Sequence, residues 1–362
     1  MKIIHCGDIH LDSKMTSNLS KEQARERKME ILRTFTRMVD YAKKNGVRAI
    51  MIAGDLFDTH NISATARNLV KDTILQNPEI DFFYLRGNHD DDNFLSRLDE
   101  TPANLKLFGN KWTTYSYGNI TITGLELNAA NQVTAYNSLV LDHDVFNIVL
   151  MHGQLNDYAS KNGTEIISLD DLKNKSIDYL ALGHYHEYRD GMLDARGAYC
   201  YCGCLEGRGF DECGEKGFVL VDIDEYTRHA TYEFIPFGYR TLYTIPVDVS
   251  GVMTTQEASQ KVENVISELG YSSRSMVKIV LCGEVDVDCE INCQFLQDMF
   301  QNYFYYEKVY DETSLLIKYS DYEKDVSLKG EFIRMVLNSD LDEEKKSEVI
   351  RCGIQALIGE EI

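Results

Sequence analysis

The sequence predicts an α/β fold, and three features of its first half support this prediction. Short apolar runs such as "VRAIMIAGD" and "DFFYLRGNHD" have the length and composition of buried β-strands. Charged, helix-compatible stretches at 21–45 and 63–76 separate these runs. Two later runs, "FNIVLMHG" and "IDYLALGHYH", continue the pattern. Strands that alternate with helices favour a sheet with parallel pairs.

The second half has a different pattern. Between 187 and 248, "KGFVLVDID" and "RTLYTIPVDV" look like strands with no helix between them, so we expect antiparallel pairing. A helix at 254–269, the strand "SMVKIVLCG", a helix at 293–301 and the strand "FYYEKVY" then predict a smaller α/β domain. Two amphipathic helices end the chain, and Ser339 or Asp340 is the expected cap of the second. The predicted domains are therefore 1–240, 241–325 and 326–362.

Length and composition narrow the class of protein. A chain of 362 residues is too long for one ordinary core. It has no apolar run long enough to span a membrane, and its first residues lack the apolar segment of a secretory signal. Nine cysteines, an odd number, suit reduced thiols better than a disulfide framework. We expect a cytoplasmic protein with no membrane contact.

The charge of the chain argues against strong binding to nucleic acid by bulk electrostatics. The formal net charge is −21, whereas binding to a phosphate backbone depends on Lys and Arg. The most basic stretch, 21–48, holds nine bases against four acids. It is either a solvated helix face, which we favour, or a contact with a DNA backbone through residues such as Arg25 and Arg27.

Side chains that bind metals follow each apolar strand of the first half. Because the carboxyl ends of parallel strands meet at one edge of a sheet, these side chains are expected to converge. One histidine or aspartate at a strand end would be weak evidence, but five such strand ends in succession predict a metal site. The residues are Asp8, His10, Asp55, Asn88, His89, His152, His184 and His186.

The predicted donors divide into two groups that share one carboxylate: Asp8, His10 and His186 for one ion, Asn88, His152 and His184 for the second, and Asp55 for both. Imidazoles mixed with few carboxylates favour manganese, iron or zinc over calcium or magnesium. Two such ions, roughly 3.5–4 Å apart, suit hydrolysis of a phosphoester, because they contact both the attacking and the leaving oxygen.

Two further residues are candidates for a catalytic role. His89 stands beside the predicted ligand Asn88 and is suited to protonate the leaving alkoxide or to stabilise the pentavalent state. Asp58, three residues after Asp55, is placed to hold the His89 ring by a hydrogen bond. The alternative for Asp58 is an ordinary turn or helix-cap residue.

The motifs "GDIH", "GDLFD", "GNHD", "HG" and "GHYH", in this order, are similar to the signature of the calcineurin-like metallophosphoesterases. Within that superfamily, "IHCGDIHLDS", "IAGDLFD" and "EGRGFDECGEKGFVLVDI" resemble the SbcD-type DNA-repair exonucleases, in the branch with "HLDS" in the first motif. The resemblance covers residues 1 to about 240 with specific motifs and the remainder in outline.

The resemblance implies a four-layer α/β/β/α sandwich, a capping domain and manganese-dependent cleavage of DNA phosphodiesters. It also implies a homodimer, a coiled-coil ATPase of the SbcC type as partner, and docking of that partner on the C-terminal helices. The sequence of these helices is equally typical of a helical hairpin packed on its own domain. The family's catalytic histidine falls on His89. Its ligand roles fall on the seven predicted donors, Asp8, His10, Asp55, Asn88, His152, His184 and His186. Asp58 stands where archaeal relatives carry a second histidine, so strand preference and direction of cleavage do not carry over. A phosphodiesterase or phosphatase for small molecules or nucleotides remains the alternative.

Overall fold

The computed structural model describes residues 1–15, 19–58, 62–90, 94–98, 100–156, 165–316, 322 and 324–358. The chain forms two compact units, Met1–Thr241 and Leu242–Ile362. Both contain helices and mostly parallel sheets, so the predicted α/β class is confirmed. Among the described residues, no helix combines the length and hydropathy needed to cross a lipid bilayer.

The described part of the first unit contains fourteen strands and four helices. The strands are β1 (Lys2–Cys6), β2 (Val47–Ala53), β3 (Asp81–Leu85), β4 (Leu105–Leu107), β5 (Thr113–Tyr117), β6 (Ile120–Gly124), β7 (Phe146–His152), β8 (Gln154–Leu155), β9 (Ile166–Ile167), β10 (Tyr179–Gly183), β11 (Tyr188–Met192), β12 (Ala198–Cys202), β13 (Gly217–Ile223) and β14 (Ala230–Pro236). The helices are α1 (Lys21–Lys44), α2 (Ala64–Gln76), α3 (Ala135–Ser138) and α4 (Leu169–Leu172), with a 3₁₀ turn at Leu95–Arg97.

These strands form two six-stranded sheets with the orders β14-β13-β1-β2-β3-β4 and β11-β12-β10-β7-β6-β5. In the first sheet β1, β2, β3 and β4 run parallel, while β13 and β14 are antiparallel additions. In the second sheet β6, β7, β10 and β12 run parallel, with β5 and β11 antiparallel at the two edges. The parallel strands of each sheet thus bring their carboxyl ends to one edge.

The four layers of the α/β/β/α sandwich in this unit are held together by three apolar cores, one between each pair of neighbouring layers. Ile50 and Ile52 of β2 face the core under α1 and α2, whereas Met51 faces the core between the two sheets. This alternation follows from the two-residue period of a strand. A third core lies on the outer face of the second sheet, where Leu180 packs with Leu172 of α4.

The long helices begin and end where the local sequence predicts. Ser20 caps α1 by accepting a hydrogen bond from the Gln23 N–H, and the Gln23 side chain accepts from the Ser20 N–H in return. Ser63 caps α2 in the same way through the N–H of Ala66. The predicted helices at 21–45 and 63–76 are therefore confirmed to within one residue.

We predicted that the bases of the stretch 21–48 lie on a solvated helix face, and for one of them this prediction is wrong. Arg27 is fully buried, and its guanidinium donates to Glu30, Glu206 and the Gly207 carbonyl. Arg25, two residues earlier, is exposed. Arg27 therefore cannot contact a DNA backbone, because a buried carboxylate pair holds its charge inside the fold.

The second unit contains strands β15 (Leu242–Asp248), β16 (Met276–Cys282), β17 (Glu284–Asp286), β18 (Tyr306–Asp311) and β19 (Ser314–Leu316), and helices α5 (Thr255–Leu269), α6 (Cys293–Phe300), α7 (Leu328–Leu337) and α8 (Glu343–Ile358). β15, β16 and β18 form a parallel sheet, and β17 pairs with β19 in parallel. The prediction of antiparallel pairing for "RTLYTIPVDV" is wrong. This segment is β15, and the α5 crossover returns the chain to pair with it in parallel.

The two C-terminal helices pack on each other and on their own unit. Ile333 and Val336 of α7 join Ile350 and Ile354 of α8 and Val287 in one apolar cluster. The predicted caps of α8 are wrong: the Asp342 side chain accepts from the Lys345 N–H at 2.9 Å and occupies the position before the helix.

Candidate metal centre

The predicted ligands follow parallel strands at the edge where the carboxyl ends of these strands lie. Asp8 and His10 follow β1, Asp55 follows β2 and Asn88 follows β3, all in the first sheet. His152 ends β7, and His184 and His186 follow β10, in the second sheet. Asp8 and His186, which are 178 positions apart in the sequence, therefore reach the same region of the structure.

The first group of donors consists of Asp8, His10 and His186, whose ligand atoms all lie within 4.8 Å of one another. The Nε2 atoms of His10 and His186 are 3.1 Å apart. Two nitrogens that bind one ion at about 2.1 Å and at right angles would lie about 3.0 Å apart. The spacing of these rings therefore fits two neighbouring positions of one coordination shell.

The second group is centred on Asn88. Its Oδ1 lies 3.0 Å from His152 Nε2 and 3.2 Å from His184 Nδ1. Asp55 Oδ2 lies 3.5 Å from His152 Nε2 and 3.8 Å from His10 Nε2, so this carboxylate stands between the two groups. The structure thus brings all seven predicted ligands together, with Asp55 near members of both groups.

Polar contacts on the far side of three imidazoles determine which nitrogen faces the centre. Nδ1 of His152 lies 2.8 Å from the Ala53 carbonyl, and Nδ1 of His186 lies 2.7 Å from Glu212 Oε1. Nδ1 of His10 lies 3.0 Å from Asp58 Oδ1. Each contact leaves Nε2 directed at the other donors, which is the usual arrangement around a bound metal.

Burial sets the charge of these groups. It lowers the pKa of His10 and His152, and burial together with the neighbouring His152 lowers the pKa of His184 to about 4. These imidazoles are therefore neutral at pH 7, the form that binds a cation. Burial, followed by repulsion from Asp55, raises the pKa of Asp8 well above its usual value. A divalent cation between the two carboxylates would oppose that rise.

The backbone at the centre is strained. Asp8, His10 and Asp55 have φ angles of 48°, 49° and 51°, and His184 has a φ of 110°. Residues with a Cβ rarely adopt such values, each of which costs on the order of 1–3 kcal/mol, and they cluster at functional sites. Backbone hydrogen bonds from Asp8 N to Gly54 O and from His10 N to Asp55 O hold the two strand ends together. No sequence pattern indicated this strain.

The "GNHD" stretch is shaped by its first and last residues. A Cβ on Gly87 would lie 2.2 Å from Asp55 Oδ1, so only glycine allows the two loops to approach this closely. The carboxyl of Asp90 accepts hydrogen bonds from the N–H groups of Leu56, Phe57 and Gly87. Asp90 thus joins the loops after β2 and β3, a role that the sequence prediction missed.

The predicted hydrogen bond between Asp58 and His89 is absent. Asp58 Oδ1 lies 3.7 Å from His89 Nδ1 but 3.0 Å from His10 Nδ1, so Asp58 supports a predicted ligand instead. Ser13 and Arg208 hold the carboxylate there through contacts of 2.9 and 3.0 Å. Burial alone would raise the pKa of Asp58, but the hydrogen bonds from His10 and Ser13 and the Arg208 charge lower it to about 2. His89 itself is 46% exposed and packs edge-on to the His10 ring.

Two residues that the sequence prediction missed form the support behind His186. Arg208 donates to Glu212 Oε1 at 2.8 Å as well as to Asp58, and Glu212 is buried against the His186 ring. Burial opposes ionisation of Glu212, but the hydrogen bonds and charges of His186 and Arg208 lower its pKa far below the usual value. Both residues lie in "EGRGFDECGEK", where charged residues directly before an apolar strand were the available signal.

A third missed residue is Glu165, which precedes β9. Its carboxylate forms a group with His152 and His184 in which the ligand atoms all lie within 4.8 Å of one another. Burial, and then repulsion from Asp55, raises the pKa of Glu165 to about 7. Nothing in the local sequence distinguishes Glu165 from an ordinary surface glutamate.

Comparison with known families agrees with this geometry. Residues 1–202, more than half of the chain, match the sequence pattern of the family described as "Calcineurin-like phosphoesterase". The chain belongs to the calcineurin-like phosphoesterases. Members of this family use a dinuclear metal site, and the clustered histidines and aspartates described above supply suitable donors for one.

The relatives of this calcineurin-like phosphoesterase include several proteins of DNA repair. It is 27% identical to the uncharacterized metallophosphoesterase YhaO of Bacillus subtilis, over 78% of this chain and 72% of the relative. It is 23% identical to the DNA double-strand break repair protein Mre11 of Sulfolobus acidocaldarius, over 97% and 98% of the two chains. It is 27% identical to one of the subunits of the nuclease SbcCD of Staphylococcus saprophyticus, over 65% and 69%.

Proposed function

We propose that this protein is the nuclease subunit of a DNA-repair complex, an SbcD-type enzyme that hydrolyses DNA phosphodiester bonds with two divalent metal ions. The observation that carries the proposal is the pair of donor groups that share Asp55, with His89 beside them. Two bound ions would supply an activated water and would neutralise charge on the phosphoryl oxygens.

The roles of the residues follow from their positions. The group of Asp8, His10 and His186 would hold one ion and the group of Asn88, His152 and His184 the other, with Asp55 available to both. His89 is exposed next to the centre, so its ring can reach a leaving oxygen and donate a proton to it. Asp58, Arg208 and Glu212 act through the His10 and His186 rings, which they hold in place. The proposed ion is manganese, with iron and zinc as alternatives that the same donors accept.

The relatives support DNA as the proposed substrate. Mre11 of Sulfolobus acidocaldarius is named a DNA double-strand break repair protein, and its similarity extends over nearly the whole chain. The Staphylococcus saprophyticus relative is named as one subunit of a nuclease. By analogy, we assign this protein an SbcC-like coiled-coil ATPase as partner, a homodimeric state and a cytoplasmic location.

The acidity of the chain makes the partner important for affinity. With a net charge of −21, the isolated protein repels a DNA backbone except near its metal ions and its exposed cations. The partner ATPase therefore supplies most of the DNA affinity in this proposal. The C-terminal helices are the proposed docking element, and exposed Leu328 and Met335 of α7 remain outside the apolar cluster of that unit.

The net charge of −21 does not count against one alternative, hydrolysis of small phosphodiesters or nucleotides. Such substrates do not require an extended basic surface. This candidate uses the same donors and the same His89, so the geometry of the centre alone does not separate it from a nuclease.

The deciding experiment compares two substrates in the presence of manganese. Linear duplex DNA and bis-p-nitrophenyl phosphate are incubated with the protein, with and without the ATPase partner, and with His89→Gln as the control. We expect cleavage of both substrates, with DNA cleavage increased by the partner and both activities about 10²–10⁴-fold lower in the variant. Hydrolysis of the small ester alone, even with the partner added, would refute the nuclease assignment and support the alternative.

A further inference from the structure

Glu165 is a carboxylate at the metal centre that the seven predicted ligands do not include. It lies with His152 and His184 in a group of donors whose atoms are all within 4.8 Å of one another. It is half-buried, and in the part of the chain that the structure describes no side chain forms an ion pair or a hydrogen bond with its carboxyl. A partly buried carboxylate near another carboxylate is costly unless a positive charge compensates it.

The backbone holds Glu165 at this position. The Glu165 carbonyl accepts a hydrogen bond from the Gln154 N–H at 2.8 Å, and β9, which begins at the next residue, pairs in parallel with β8. A Cβ on Gly153 would lie 2.4 Å from the Glu165 carbonyl oxygen. The glycine that directly follows His152 therefore gives the 165 backbone the space to lie against this strand end.

We infer that Glu165 is a ligand of the second metal ion, the one held by Asn88, His152 and His184. The inference rests on the proposed function, because it requires two ions at the centre. Near this ion the chain then contributes two carboxylates, Asp55 and Glu165, an amide oxygen and two imidazoles. Carboxylate and carbonyl oxygens suit manganese better than they suit softer ions, so the added carboxylate shifts the preference of this site towards manganese.

The added ligand also changes the charge of the centre. Two divalent cations contribute +4, and Asp8, Asp55 and Glu165 contribute −3, which leaves +1 for the substrate and its nucleophile. Loss of Glu165 removes one negative charge and one donor from the second site only. The first site, built from Asp8, His10 and His186, keeps all its donors.

The test measures manganese binding directly. Metal-free protein is titrated with Mn²⁺ in equilibrium dialysis, and the bound ions are characterised by electron paramagnetic resonance, which distinguishes a spin-coupled pair from a single ion. We expect two bound ions in the original protein. In Glu165→Gln the second ion should bind at least about 10–100-fold more weakly, because the loss of even an outer partner of a metal ligand typically costs that much. When one equivalent of Mn²⁺ per site has been added, the paramagnetic resonance spectrum of Glu165→Gln should be that of an uncoupled ion.

Two further variants control the measurement. Glu233→Gln makes the same charge change at an exposed position of β14 and should leave both ions unchanged. Glu165→Asp keeps the carboxylate on a side chain shorter by one methylene, and it should bind the second ion more tightly than Glu165→Gln does. Thermal melting of each metal-free variant checks that the fold is retained.

The outcomes separate this inference from the proposed function. Two tightly bound, spin-coupled ions in Glu165→Gln would overturn the role of Glu165 and leave the dinuclear centre intact. Loss of both ions to the same extent would overturn the assignment to the second site. A single bound ion in the original protein would refute the dinuclear centre itself, together with everything built on it.

Discussion

Substitution of Arg27 tests the buried charge network that joins α1 to the segments after β12 and β14. Arg27 and Arg240 lie among Glu30 and Glu206, and all four are buried, so the network has two positive and two negative charges. Arg27→Ala changes its net charge from zero to −1 in a region that excludes water. Removal of one member of a buried ion pair typically costs about 3–5 kcal/mol.

The expected loss is near the lower limit of that range. Glu30 retains its contacts with Arg240, and Glu206 retains hydrogen bonds from Thr34 and from the N–H groups of Tyr239 and Arg240. We therefore expect the free energy of unfolding to fall by about 3 kcal/mol. For a unit of this size that corresponds to a melting temperature lower by about 6–12 °C.

Urea denaturation, monitored by tryptophan fluorescence, measures this change in stability in the unit that contains Arg27. The chain has one tryptophan, Trp112, which lies in the first unit and therefore reports on that unit alone. Arg25→Ala is the matched control, because Arg25 is exposed on the same helix and its loss should change stability by less than about 0.5 kcal/mol. If Arg27→Ala and Arg25→Ala were equally stable, the network would contribute nothing and the reasoning would be refuted.

Three further predictions concern the centre, the C-terminal helices and the basic helix. Glu212→Gln should weaken manganese binding about 10–100-fold, because the His186 ring loses its anionic partner; an unchanged isotherm would contradict the support role of Glu212. Asp342→Ala should lower the stability of the second unit by about 1 kcal/mol, measured by far-ultraviolet circular dichroism, whereas Ser339→Ala should not affect the start of α8. If α1 contacts DNA, Arg25→Glu should reduce the slope of log affinity against log salt by about one to two; an equal slope would exclude Arg25 from the interface.

Local sequence determined which segments are helices and strands and which residues follow them. Ser20 and Ser63 mark helix starts because a cap depends on hydrogen bonds within three residues. The convergence of metal-binding side chains could be predicted for a related reason. Once β1, β2 and β3 are taken as parallel strands, their carboxyl ends meet at one edge, whatever else the chain does.

The tertiary structure alone decided which partner each of these groups meets. Asp58 contacts His10 rather than His89 because Arg208, 150 residues later in the chain, holds its carboxylate. Arg27 is buried because Glu206 comes from a distant loop, and Glu165 reaches His152 because Gly153 leaves room for its backbone. Periodicity and capping act over a few residues and are visible in the sequence. The partner of a polar group depends instead on which distant segment the packed core brings within about 3 Å, and no short stretch of sequence contains that information.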